Sequence, residues 1–547
     1  MENRAKRYIA LLLAVLTLAL TGCGQSEKPQ EEYIEGHSAG KEIEQTAAAD
    51  DVFTLNVNME YSFNPMVATN TANQLVCYLV YENMVEVDNN YNAIPNVITE
   101  WKTSDGGVHW VFTVDTSRRF HTGEQMTAKD VAYSLRMAMN SERFARRLNC
   151  IIGCSENDEK TFAVTCSKAN MLLPQLLAVP VIQYDSYKED YPEGTGPYTY
   201  AKDHKTLKRF SRYKNAENLP LDVIYLKEYT GSTEIMSAFE DSLIDIVMND
   251  PSAPTNLGYA NVNEIRGMNT CNLHYIGFNM KSKTVAYEGI RYAFNFAFDR
   301  EDIVEQFGGY ALAANLPVSP ACAWYDQAYA KQYNYNIEQT KLVFENLGLK
   351  DYDEDGYLEL KNGGSLQELD IDFVICGASS IKSNVASKFA SDMASLGLKI
   401  TVRELPWEEY CAAIASGDFD MYYAEVRLTP DFDLSMLTGK DMRMNYGGIE
   451  DTMLDELIER YLGADDANRK SFCADMCAQI ANMGYIIPLC FEKHQMITHR
   501  GVIEGIKASE FDPLYNFANW KIKFENVTLK PAEENVNNNK GETDNDQ

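Results

Sequence analysis

The pattern of apolar and polar positions changes period repeatedly along the chain, and each change marks an element. Phe53, Leu55, Val57 and Met59 alternate with polar residues, which predicts a half-buried strand. Trp110, Phe112 and Val114 repeat that period of two in HWVFTV. A helix start follows at Thr127-Ala-Lys-Asp130, where Thr127 is positioned to cap the helix and Asp130 to face its N-terminal dipole. Val131, Leu135, Ala138 and Met139 then share one face. Ile290, Ala293, Phe294, Ala297 and Phe298 mark a second amphipathic helix. Val385, Phe389, Met393 and Leu396 mark a third, which stops at Gly397 and runs into the strand-like LKITV. Asp420–Val426 reads as a buried strand followed by a loop. Helix–glycine–strand units of this kind predict an α/β architecture. No internal repeat is present.

The two ends of the chain differ from this body. Arg4, Lys6 and Arg7 precede an apolar run, Ile9–Leu20, that is too short to span a bilayer comfortably and reads as a signal-peptide core. It ends in Leu20-Thr21-Gly22-Cys23, which resembles the lipobox of bacterial lipoproteins. That resemblance implies removal of residues 1–22, lipidation of Cys23 and attachment to the outer face of the cell membrane. Residues 23–50 are polar and read as the lipidated cysteine and a flexible tether, and 528–547 as a disordered tail.

Composition narrows the function. The 547 residues predict two to four domains. A formal charge of −31 repels phosphate backbones and argues against nucleic acid as a partner. Of the 12 cysteines, eleven remain if Cys23 carries lipid, so complete pairing within one chain is impossible, and mostly free thiols with room for one bridge are expected. Cys150/Cys154 and Cys473/Cys477 have i,i+4 spacing, not the CxxC of zinc or redox sites.

A set of motifs, in order, carries one family resemblance. Tyr81-Glu-Asn-Met-Val with Pro95…Glu100-Trp101 resembles "YEGLV…P-x-LAESW". Trp110-Val-Phe112…Phe120-His121-Thr-Gly123…Thr127-Ala-Lys-Asp130-Val-Ala-Tyr133-Ser134 resembles "YTFxLRxGVKFHDGxPxTAxDVxYS". Gly194-Thr195-Gly196-Pro197-Tyr198 matches a GTGPY turn, whose glycines are expected to permit a sharp bend. Tyr275…Phe278-Asn279 and Ile290-Arg291…Asp299-Arg300 resemble "YxxFN…VRxAxxxAxDR". Gly417-Asp418-Phe419-Asp420-Met421 and Tyr485…Pro488 complete the series. Spanning roughly Val52–Trp520, these resemble the extracellular solute-binding proteins of the oligopeptide, dipeptide and nickel transporters (solute-binding protein family 5).

The resemblance implies a large, three-domain, two-lobed periplasmic-binding-protein clamp of class II. Domain I would comprise 51–88, 190–275 and 497–527, domain II 89–189, and domain III 276–496. Such a clamp binds a peptide between its lobes, acts as a monomer and delivers its cargo to a membrane permease driven by cytoplasmic ATPases. It needs neither catalyst nor cofactor. Binding of nickel or another small non-peptide solute is the alternative, and peptide sensing a second one. No HxxxH or HExxH pairing supports a metal, and the absence of GxSxG, Walker-type and HExxH patterns leaves no signature of an enzyme. Asp351-Tyr-Asp353-Glu-Asp355-Gly356 opens like a calcium loop, but its twelfth position is Asn362, so an acidic turn is expected.

The pattern breaks at the ligand anchor. Peptide-binding members carry an aspartate in a "GWxxD…P" context that pairs with the ligand's amino group. The corresponding stretch, Ala424-Glu425-Val426-Arg427-Leu428-Thr429-Pro430-Asp431-Phe432-Asp433, lacks the tryptophan and an alignable aspartate before Pro430. Glu425, Asp431 and Asp433 are the substitutes to consider, and Arg427 would favour a carboxylate. Equally, Glu425 and Arg427, two apart on a strand, would brace each other. Tyr61, Asn64, Trp407, Asn445 and Tyr446 are further candidate contacts implied by the resemblance, with packing beneath its helix the competing role for Trp407.

Overall fold

The computed structural model describes residues 52–524 except 254, 255, 257, 260, 261, 363 and 364. Cys23, the segments before and after it, and the C-terminal tail lie outside the described residues.

One eleven-stranded sheet organises the molecule. Two strands far longer than the rest, Glu264–Phe278 and Ile486–Thr498, run side by side through its middle. On one side of the sheet lie Ile246–Asn249, Thr54–Val57, Val223–Glu228, Thr206–Arg209 and Tyr198–Tyr200; on the other lie Met421–Arg427, Asp370–Cys376 and Lys399–Leu405. Ile246–Asn249 pairs with Gln495–Thr498, whereas Met421–Arg427 pairs with Asn272–Phe278. Each long strand therefore serves one lobe with one end and the second lobe with the other. Their mutual register slips between Asn269 and Leu273, where the pairing changes lobes. Such a slip breaks the ladder locally and increases twist, so the two long strands are less firmly tied to each other at this crossing.

A separate four-stranded sheet, Ile98–Thr103, His109–Val114, Thr161–Cys166 and Ile151–Glu156, is covered by the helix Ala128–Met139. The helix starts as its sequence predicts: the Asp130 carboxylate accepts from the Thr127 amide and hydroxyl, both at 2.9 Å. Trp110, Phe112 and Val114 alternate inward as expected.

Thr54–Val57 departs from its pattern, because all four residues are buried rather than alternate ones. This strand lies mid-sheet, parallel to Val223–Glu228 and Ile246–Asn249, and is covered on both faces. Its polar Asn56 is accommodated by accepting from the Tyr229 amide at 3.0 Å. The expected helix over 290–298 is shorter, Glu288–Phe294, because the chain turns at Asn295–Phe298 before Arg300–Gln306. At GTGPY the glycines serve close approach rather than unusual dihedrals. A Cβ on Gly196 would sit 2.5 Å from the Val80 carbonyl carbon, where the Gly196 amide donates to Val80 O at 2.9 Å. The eleven described cysteines are all free, so the room left for one bridge is unused among them. Among the described residues no helix is long and apolar enough to cross a membrane.

Candidate functional site

Where the two lobes face one another, a cavity of about 200 Å³ opens beside the crossing. One wall comes from the helix Thr71–Val80 and the turn after Asn140, which supply Gln74, Tyr78, Arg143, Arg146 and Arg147; the opposite wall is Arg427–Pro430. Glu510 and Cys271 close the end next to the crossing. The lining thus holds four guanidinium groups and one carboxylate, Glu510, an excess of three positive charges in a chain of net charge −31.

The arginines are held in place by backbone carbonyls rather than by acids. Arg143 Nη1 donates to Pro65 O at 2.6 Å, Arg146 to the carbonyl of Arg427, and Arg147 to Ala178 O. The Arg147 Nε has no hydrogen-bond partner. Burial, aggravated by Arg427 and Arg143, pushes the Arg147 pKa down to about 10, and burial with Arg427 lowers that of Arg146. Arg427 pairs with Glu510, whose charge raises the arginine's pKa, and Glu510 also accepts from the Cys271 amide at 3.1 Å. Three cations without an acid of their own, crowded in a half-enclosed cleft, repel one another; an anionic group entering between them relieves that repulsion.

Of the candidates named from sequence, Arg427 lines this cavity. Glu425 shares its strand but turns to Lys382, 3.2 Å away, and to His274 at 3.7 Å, so Glu425 and Arg427 have separate partners and do not brace each other. Asp431 is buried at the lobe interface, accepting from Asn170 Nδ2 at 2.9 Å and from the Thr429 hydroxyl. Burial and nearby Asp433 push its pKa up to about 6. Asp433 caps the turn at Ser435. Asn64 donates to Tyr187 O and Glu189 O, and Asn445 to Gly439 O and Ile449 O, so both amides are spent on loop backbone. Tyr61 is exposed; Tyr446 lies edge-on to Tyr422. Trp407 does not pack beneath its helix: it is 63% exposed at the first position of Trp407–Ser416, stacked on Tyr410. The residues that sequence reasoning missed, Arg143, Arg146 and Arg147, carried a signal in RFARR, a basic cluster inside a strongly acidic chain. Asp351, Asp353, Asp355 and Glu359 converge despite Asn362, each offering a carboxylate oxygen within 4.8 Å of the others.

Comparison with known proteins agrees with this architecture. The oligopeptide-binding protein AppA of Bacillus subtilis is 20% identical, with 95% of this chain and 99% of that protein aligned. The structure of NikZ from Campylobacter jejuni in complex with Ni(L-His) superposes with a TM-score of 0.62 at 18% identity, covering 86% of this chain and 99% of that one. The unliganded open form of the murein tripeptide binding protein MppA superposes with a TM-score of 0.70 at 16% identity, covering 87% and 98%. The family model described as bacterial extracellular solute-binding proteins, family 5, matches residues 92–439. Two lobes on a shared pair of strands, a cleft between them and this match give one result: the chain belongs to the family 5 extracellular solute-binding proteins and works by binding, outside the cytoplasm, rather than by catalysis.

Proposed function

We propose that this protein is the capture component of an ATP-binding-cassette importer for peptides, and that a ligand carboxylate docks among Arg143, Arg146, Arg147 and Arg427. The observation that carries the reading is the excess of guanidinium groups in a cleft between two lobes. A peptide always brings one carboxylate at its C-terminus, and acidic side chains bring more. Arginine's planar fork suits such a group, while Tyr78 and Tyr81 offer apolar faces to the rest. Bending at the crossing closes the lobes and buries the ligand, and the closed form docks on the permease. The domain division given above from the family resemblance belongs to this proposal. So does lipidation of Cys23, with the polar segment after it as a tether to the membrane surface.

Native mass spectrometry of the purified protein tests the ligand class by identifying what co-purifies. The expected result is a peptide, and amidating its C-terminus should weaken binding about tenfold or more, as for loss of one charged hydrogen-bonded pair. Retention of only a metal chelate or a sugar would overturn the peptide assignment.

A further inference from the structure

The crossing of the long strands carries a second polar cluster, which plays no part in the cavity above. Asp250 directly follows the strand Ile246–Asn249, and Glu492 and His494 project from Ile486–Thr498. One donor atom from each of the three lies within 4.8 Å of the others. Glu492 is buried, 2% exposed, while Asp250 and His494 are half-buried and reachable from solvent.

The hydrogen bonds around Glu492 leave one oxygen unspent. Its Oε2 lies 3.5 Å from His274 Nε2 and 3.5 Å from Asn272 Nδ2. His274 also meets the Tyr423 hydroxyl, 3.3 Å from Nδ1, so both of its ring nitrogens have a polar partner. The other oxygen, Oε1, is buried without any hydrogen-bond partner. Asp250 is similarly half used: Oδ1 accepts from the Ser252 amide and hydroxyl, both at 2.8 Å. Two carboxylates brought together in a buried place repel unless a proton or a cation lies between them. Here an imidazole joins them, and the outer groups that would orient the ligands, His274 on Glu492 and Ser252 on Asp250, are already in position.

We propose that Asp250, Glu492 and His494 form a binding site for a divalent first-row transition cation, such as Mn²⁺ or Zn²⁺, at the crossing between the lobes. Two carboxylates and an imidazole are a donor set for such ions rather than for Mg²⁺ or Ca²⁺, which take oxygen ligands. Three protein donors leave coordination positions for water. The site straddles the crossing: Glu492 pairs in register with Ala311 of the second lobe, His494 with Met268, and Asn249, the neighbour of Asp250, with Gln495. An ion held there braces the place where the two long strands are less firmly tied.

The test is Mn²⁺ binding to the chelator-stripped full chain, followed by electron paramagnetic resonance of the free ion; Mn²⁺ has little affinity for the free thiols. The native protein should bind one equivalent more than Glu492→Gln and than His494→Ala, or bind that equivalent at least tenfold more tightly. Asp353→Asn, in the remote acidic loop, should leave this difference unchanged. Circular dichroism confirms that each variant folds, and Asp250→Asn replaces any that does not. Equal stoichiometry and affinity in the native protein and the folded variants would overturn the proposal.

Discussion

The cleft cavity and the strand crossing meet at Cys271, yet their charges are opposite. The cavity gathers Arg143, Arg146, Arg147 and Arg427 around one acid, Glu510. The crossing gathers Asp250, Glu492 and Glu425 around His274, His494 and Lys382. Arg427 and Glu425 are paired, with Glu510 and Lys382, but the other charges are held by groups that do not neutralise them: backbone carbonyls for Arg143, Arg146 and Arg147, and a neutral imidazole and a hydroxyl for Glu492 and Asp250. A fold that gained only stability from the more enclosed members, Arg147 and Glu492, would give their buried Nε and Oε1 a partner, since unpaired charge in a low-dielectric place is costly. Charge held unpaired is charge kept for a visitor, and the two regions differ in the sign of visitor they suit.

The largest effect should come from breaking the cavity side alone. Arg427→Ala is expected to weaken capture of a carboxylate-bearing ligand by about 2–3 kcal/mol, or roughly 30–160-fold, whereas Glu425→Ala, on the same strand, should change it less than about twofold. Calorimetric titration with the co-purifying ligand measures both. Unchanged affinity in Arg427→Ala would reduce that residue to the counter-ion of Glu510.

A smaller effect separates the crossing from the cavity through pH. Burial, with Asp250 at Glu492 and Glu82 at Glu86, pushes the pKa of Glu492 up to about 8 and of Glu86 up to about 7. Both lie above the value in an unfolded chain, so the native state keeps protons that the unfolded state has lost. Their stabilising contribution is present at low pH and is lost as pH rises through 7 and 8. Cation-free protein should therefore gain about 2 kcal/mol on going from pH 8 to pH 6.5, read from urea unfolding midpoints. Glu492→Gln should remove the larger part of that slope. Below about pH 6.5 the gain is opposed by His121 and His274, which burial pushes down to about 4, because unfolding lets them take up protons. A flat profile between pH 8 and 6.5 would dissolve the distinction drawn for the crossing.

The smallest effect belongs to a residue in neither region. Trp407 is 63% exposed, so Trp407→Ala should alter thermal stability and ligand affinity by no more than about 0.5 kcal/mol. A large loss would mean that the tryptophan meets ligand or lobe in a way its position does not provide for.

The scaffold was legible because its signals are local. Thr127 and Asp130 three apart write a helix start, Trp110/Phe112/Val114 write a strand face, and GTGPY writes a turn, each within one short window. The site was mostly not legible. Arg427 could be singled out because it stands where a family pattern breaks, but Glu425, two residues away on the same strand, faces His274 and Lys382 instead of the cleft. Asn64 and Asn445 look like ligand contacts in sequence and prove to be occupied by nearby backbone, a matter of loop shape. The RFARR cluster was visible as composition, but nothing local says that it faces Arg427 across some 280 residues of chain.

By itself, then, the sequence determined the alternating α/β scaffold and its acidic balance, since periodicity, caps and charge act over a few residues at a time, while the resemblance of its motifs implied the task of binding outside the cytoplasm. Only the tertiary structure decided which charges are left without partners. Pairing depends on long-range register: Asn249 beside Gln495 sets Asp250 near Glu492, the Cys271 amide at the slip meets Glu510, which pairs with Arg427, and no window of sequence contains both members of either pair.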